Sequence, residues 1–179
     1  VSDAEVDALV LAVDADLPPP AVARDVVLVS GPWLAGTTGV IAALRERLPR
    51  HTFVEPAELC PGAPPVAVVF VVSATAPLTE SDCALLDAAA ADTDAVIGVV
   101  TKIDVHRTWR EVLDADRRIA AAHAPRYAGM PWVGAAAAPD LGTPVLDGLV
   151  AAVEHALADE SLGRRNRLRA WETRLNNLV

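Results

Sequence analysis

The sequence predicts a three-layer α/β/α sandwich around a mainly parallel sheet of about five strands. Three observations point there. Short β-branched runs recur that are apolar at successive positions, as strands buried on both faces are. Between them lie stretches whose apolar residues repeat at helical spacing. The two kinds of segment alternate, and strand–helix crossovers of that kind lay parallel strands side by side with helices on both faces. In such sheets, ligands bind beyond the carboxyl ends of the strands.

Taken in order, Ser2 and Glu5 read as a capping box, and Val6, Leu9, Val10 and Val13 follow at helical spacing, giving a helix over 3–15. Leu17-Pro18-Pro19-Pro20 ends it as a stiff linker. Val26–Ser30 is a buried strand, 31–36 a turn, 38–48 a helix and 52–55 a short strand. Val66–Ser73 is the strongest strand in the chain. Thr79 and Asp82 open a helix to about Ala91, and Ala95–Thr101 is again continuous apolar strand. Thr108 with Glu111 reads as a second capping box, starting a helix to about Ala122. Pro131–Ala135 is a last short strand. Thr143 then caps a helix with Pro144 at its first position, where a missing N–H costs nothing. The organisation expected is an N-terminal helix and proline linker over 1–20, one α/β domain over 21–158, and a basic amphipathic helix over 159–179.

Composition narrows the function. Hydrophobic residues make up 53% of the chain but aromatic ones only 4%, so the core must be built from small aliphatic side chains. The net charge of −9 repels phosphate backbones, and nucleic acid is excluded as a partner of the whole domain. Cys60 and Cys83 have no metal-like spacing and read as reduced cytosolic thiols. The apolar run Val66–Val72 is far shorter than the ~20 residues a membrane span needs. The acidic start is not that of a secretory signal, so a cytoplasmic location is expected. The absence of an initial Met suggests a piece of a longer protein. His51, His106, His123 and His155 are scattered and form no metal pattern.

Two motifs carry chemistry. Gly31-Pro32-Trp33-Leu34-Ala35-Gly36-Thr37-Thr38 follows a strand and opens a helix. It fits the phosphate-loop pattern G-x-x-x-x-G-K-[ST] except that Thr37 stands in the lysine position. Backbone N–H groups at such a helix start attract anions, and Thr38 occupies the position whose hydroxyl ligates magnesium. The plainer reading is a glycine turn between strand and helix. Trp33 reads either as a plug packed over the loop or as a contact for a partner or a base. The second motif, Thr101-Lys102-Ile103-Asp104, ends a strong strand, and Lys102 is the only lysine beside fourteen arginines. A carboxylate there can accept two hydrogen bonds from one planar donor edge, and the aliphatic stem of a lysine can cover a ring face. The alternative is a surface Lys–Asp pair at a strand end.

Over roughly 25–158 the chain resembles P-loop GTPases of the dynamin-like and Era-like kinds. The resemblance rests on the loop at 31–38, on Thr101–Asp104 as the guanine motif [NT]-K-x-D, and on Phe70–Asp82, which is similar to the family's strand followed by P-L-T-x-x-[DE]. Val133-Gly134-Ala135 is similar to the last base-contacting motif, with Ala135 at the position whose backbone N–H meets the guanine. The resemblance implies nucleotide contacts from Gly31, Gly36, Thr37, Thr38, Thr101, Lys102, Asp104 and Ala135, with Thr38 as the metal-side residue and no catalytic residue assigned.

The departures decide the activity expected. Only the seventeen residues 49–65 separate the first helix of the domain from the strong strand. At ~3.3 Å per residue they hold one short strand and a loop, not the first switch and two strands. Leu59-Cys60-Pro61-Gly62 has Leu59 where the magnesium-side aspartate belongs. With lysine, aspartate and switch all missing, hydrolysis and nucleotide switching are not expected. The expectation is a pseudo-GTPase serving as an interaction or regulatory module, with weak GDP or GTP binding and little hold on magnesium. The alternatives are a working GTPase whose lysine is replaced in space by an arginine or a dimer partner, and an unrelated small-molecule transferase or binding protein. Leu168, Trp171, Leu175 and Leu178 form an apolar face ringed by Arg164, Arg165, Arg167, Arg169 and Arg174. That helix packs on the domain or on the first helix, or it contacts a partner, a further domain, a second copy of the chain or, peripherally, an acidic membrane.

Overall fold

The computed structural model describes residues 3–13, 24–59, 62–140 and 142–177. The elements are α1 (Asp3–Val13), β1 (Arg24–Ser30), α2 (Thr37–Arg47), β2 (Thr52–Val54), β3 (Pro65–Ser73), α3 (Glu80–Ala89), β4 (Val96–Thr101), α4 (Trp109–His123), β5 (Trp132–Gly134), α5 (Asp147–Leu157) and α6 (Leu162–Asn176). All five strands pair in parallel, in the order β2-β1-β3-β4-β5. The chain leaves β1 toward one edge, then returns past it to β3 and runs to the other edge. That reversal opens the crevice between β1 and β3 in which doubly wound sheets bind ligands.

Strand alternation sorts the core into two layers. Val27, Val29, Val69, Val71, Ile97 and Val99 face α2 and α5. Leu28, Val68, Phe70, Val72 and Val100 face α3 and α4. Six β3 residues in succession, Ala67–Val72, are buried, which explains why this strand is the most apolar in the sequence. Between α2 and β3 the described residues make β2 and a 3-10 turn at Pro56–Glu58, in keeping with the short length of that stretch.

The capping box at Thr79 and Asp82 forms: Thr79 N–H donates to Asp82 Oδ2 at 2.8 Å, and Asp82 N–H to Thr79 Oγ1 at 3.3 Å. The one at Thr108 does not. Its side chain makes no cap bond; instead its carbonyl accepts from Glu111 and Val112. The helix expected from Thr143 and Pro144 begins only at Asp147. Val145 exchanges both backbone hydrogen bonds with Ala136 at 3.0 Å in an antiparallel bridge, which holds 143–146 out of helical geometry.

α6 buries Leu162, Asn166, Ala170 and Trp171, while Leu168 is exposed. The packed face is therefore rotated from the one read from leucine spacing, because Asn166 is the residue that meets the sheet. Its amide donates to Val66 O at 2.7 Å, and its Oδ1 accepts from Asp94 N–H at 2.8 Å. On its other side α6 holds α1. Asp7 accepts from Arg167 Nε and from Trp171 Nε1, both at 2.9 Å. Ser2, the proline run at 17–20, Cys60, Pro61 and Leu178 lie outside the described residues.

Candidate functional site

The loop after β1 is shaped by contacts that exclude side chains. A Cβ on Gly31 would overlap the carbonyl oxygen of Val71, so glycine lets β1 leave the sheet close against β3. Gly36 caps α2 with φ 91°, a left-handed conformation that favours glycine. Leu34 adopts φ 64° without that advantage.

The strand-end motif braces this loop from across the sheet. Thr101 is buried, and its hydroxyl lies 2.5 Å from Ala35 O and 3.0 Å from Val72 O. Lys102, itself at φ 60°, donates from Nζ to Leu34 O at 2.8 Å. Gly36, Thr101, Lys102 and Asp104, separated by up to 68 positions, line one cavity of about 280 Å³. Gly39, Val105, the small residues Ala136–Ala138 and Asp140 complete it. A Cβ on Gly39 would lie 3.5 Å from that of Ala138, so the alanine loop sits directly against α2. These alanines belong to no motif in the sequence. The signal available was a run of small residues directly after a strand, which allows a loop to approach a helix closely.

The motif donors and acceptors are partly engaged. Asp104 Oδ2 accepts the backbone N–H of Asp140 at 2.9 Å. Ala135 is fully buried, and its N–H donates to Val100 O at 2.8 Å, continuing the β5 ladder. Ala136 N–H is engaged by Val145. These two donors therefore serve the sheet and the 136–145 bridge.

Thr37 and Thr38 open α2, and Thr38 is exposed. Thr38 faces a separate cavity with Arg45, Glu55 and Glu58. Arg45 there donates from Nε and Nη2 to Phe53 O at 3.1 and 2.6 Å, and Nη2 lies 3.3 Å from Glu58 Oε2. Glu58 Oε2 also accepts Glu55 N–H at 2.8 Å. The local guanidinium and carboxylate thus satisfy each other and the 3-10 turn. Among the described residues no group of three or more His, Cys, Asp or Glu is placed to hold a metal ion. Thr38 brings one exposed hydroxyl to this cavity, beside Glu55 and Glu58.

Trp33 does not plug the loop. It is 91% exposed, and Leu34 beside it is 68% exposed. The loop tip carries its largest apolar side chain outward because the interior it would fill is closed by Ala35 and Thr101, both buried.

No protein-family model and no curated protein matches the chain. Among solved structures it is similar to the LeoA bacterial dynamin GTPase from ETEC, at 16% identity and a TM-score of 0.46. The alignment covers 96% of this chain and 40% of that one, so the chain spans well under half of LeoA. No helix among the described residues is long and apolar enough to cross a membrane.

Proposed function

We propose that the chain is a degenerate GTPase-like domain, a pseudo-GTPase that works as an interaction or regulatory module and retains weak guanine-nucleotide binding. The observation that carries this reading is the cavity lined together by Gly36, Thr101, Lys102 and Asp104. Its 280 Å³ suits a purine base, with the Lys102 stem along one wall and the Asp104 carboxylate at its side. A carboxylate has about four acceptor positions, so Asp104 keeps Asp140 N–H as an orienting bond while meeting both donors of a guanine edge. The phosphates would meet backbone N–H groups at the start of α2, and Thr37 supplies no cation.

The reading of a working GTPase with a substituted cation lacks support at Arg45, the guanidinium in Thr38's cavity, which is engaged by Phe53 and Glu58. Partners for the module are proposed at the exposed surface of the flanking helices, in a cytoplasmic setting.

The test is calorimetric titration of GDP, GTP and ATP with and without magnesium. Guanine-selective binding that Asp104→Ala abolishes, with the fold intact, is expected, and magnesium should add little. GDP affinity unchanged in Asp104→Ala would remove the base assignment. Magnesium-dependent phosphate release that follows the protein through purification would overturn the pseudo-enzyme reading.

A further inference from the structure

We propose that the opposite end of the sheet holds a second ligand site, for a small organic anion with an apolar body and one carboxylate or phosphate. A cavity of about 390 Å³ lies beneath the amino ends of β4 and β5, against α5 and α6. Every strand is parallel, so this is the end of the molecule away from the glycine loop. Its volume lies within the range of small-molecule sites. Ile97, Met130, Pro131, Ala152 and Ala156 give it apolar walls.

The charge of the cavity is unbalanced in one place. Arg165 is held between Asp94 and Asp159 at 3.1 and 3.0 Å. Arg169 is held by Glu172 at 2.6 Å, with Asp94 at 3.6 Å. Arg126, on the third side, has no carboxylate within ion-pair distance among the described residues. Its Nη2 donates to Ala90 O at 2.8 Å and to the Tyr127 hydroxyl at 2.7 Å. That hydroxyl in turn donates to Asp87 at 2.7 Å, so the phenol links the guanidinium to the Asp87 carboxylate. Nε and Nη1 are left without a protein acceptor among the described residues. A guanidinium is always charged and presents its donors in a planar fork suited to carboxylate and phosphate. Two of its hydrogens are anchored, which fixes the group before a ligand arrives and lowers the ordering cost of binding.

The walls determine what accompanies the anion. Bare phosphate would leave the apolar surface wet, whereas an aromatic or short aliphatic body would cover it. Gly129 stands in the same cavity, and a Cβ built on it meets nothing within 4 Å, so the space at that point is open. Because α6 contributes Arg165 and Arg169, a bound molecule would lie between the sheet and this helix.

The experiment titrates phenyl phosphate, benzoate and inorganic phosphate separately into the full chain, following amide resonances. Phenyl phosphate or benzoate should shift Gly129, Ile97 and His155 at millimolar concentration, and inorganic phosphate should bind far more weakly. Gly129→Leu fills the open space while removing no contact, and should abolish the shifts without lowering the melting temperature. Arg126→Gln should weaken binding roughly tenfold or more. The proposal is overturned if neither organic probe shifts these residues in the wild-type protein, if inorganic phosphate binds as tightly as phenyl phosphate, or if Gly129→Leu binds unchanged. GDP binding at the other end should not respond to Gly129→Leu, so this site and the nucleotide reading stand or fall separately.

Discussion

Lys102 and Leu34, the two non-glycine residues in left-handed backbone geometry among those described, are joined by a hydrogen bond of 2.8 Å from Nζ to the carbonyl oxygen. The only lysine of the chain therefore holds the tip of the glycine loop before any ligand is present. An exposed side chain-to-backbone bond of this kind is worth about 1 kcal/mol or less. Lys102→Met should leave the melting temperature almost unchanged while speeding amide exchange at 33–36. Unaltered exchange there would mean that the loop is held by Thr101 alone.

Leu34 contributes little packing to set against its backbone strain, since it is largely exposed. A left-handed non-glycine residue costs on the order of 1–2 kcal/mol, and glycine returns part of that gain through its flexible unfolded state. Leu34→Gly should raise stability by up to about 1 kcal/mol. A lower denaturation midpoint would show that the leucine side chain makes a compensating contact.

Gly31 should tolerate no side chain. The carbonyl of Val71 occupies the place of its Cβ, and both atoms belong to backbone inside a packed sheet. Gly31→Ala should destabilise by roughly 1–3 kcal/mol, as overpacking does. Chemical denaturation measures it, and an unchanged midpoint would mean that β1 can move away from β3 at little cost.

Asp116 makes stability depend on pH. It is fully buried on α4; Oδ1 accepts Leu78 N–H at 2.8 Å, and Oδ2 has no hydrogen-bond partner among the described residues. Burial pushes its pKa up to about 6 from 3.8; the Leu78 bond opposes this and the Asp82 charge adds to it. The folded state thus holds the proton more tightly than the unfolded chain. The stabilisation is complete below the unfolded value and is lost as pH rises through about 6. Its size is on the order of a few kcal/mol. Asp116→Asn keeps an acceptor for Leu78, and should remove this pH dependence and match or exceed the wild type above pH 7. Parallel wild-type and variant stability curves between about pH 4 and 7 would exclude Asp116 as the source.

The contact between α1 and α6 has the opposite sign. Hydrogen bonds from Arg167 and then Trp171 hold the Asp7 carboxyl below its usual range. The stabilisation from this contact is present above the ordinary aspartate value and is lost as pH falls through the lowered one. Asp7→Asn should expose α1 to proteolysis at neutral pH with the sheet intact. Equal protease resistance in the variant would place the hold on α1 elsewhere.

The strands were legible in the sequence because burial on both faces leaves runs such as Val66–Val72 with no polar position. Thr79 and Asp82 were legible because a capping box is local. Thr108 and Thr143 misled for the same reason: each matches a local cap, but the backbone there is set by the turn at 102–106 and by the Ala136–Val145 bridge. The cavity beside Asp104 was half legible. The motif residues gave one wall, and the alanine loop that forms the other carries no chemistry a sequence displays. Arg126 could not be singled out among fourteen arginines, because its place in a cavity wall, anchored to Ala90 O and the Tyr127 hydroxyl, is set only by folding.

Asn166 ties the last helix to the beginnings of β3 and β4 with a donor and an acceptor from a single amide. Trimming the chain after residue 158, where the sequence suggests an independent core, would strip that amide from Val66 and Asp94 and uncover the surfaces beneath Leu162 and Trp171. A shortened form should come out of expression prone to self-association, and assays performed on it would report on a damaged underside as well as on the nucleotide cavity.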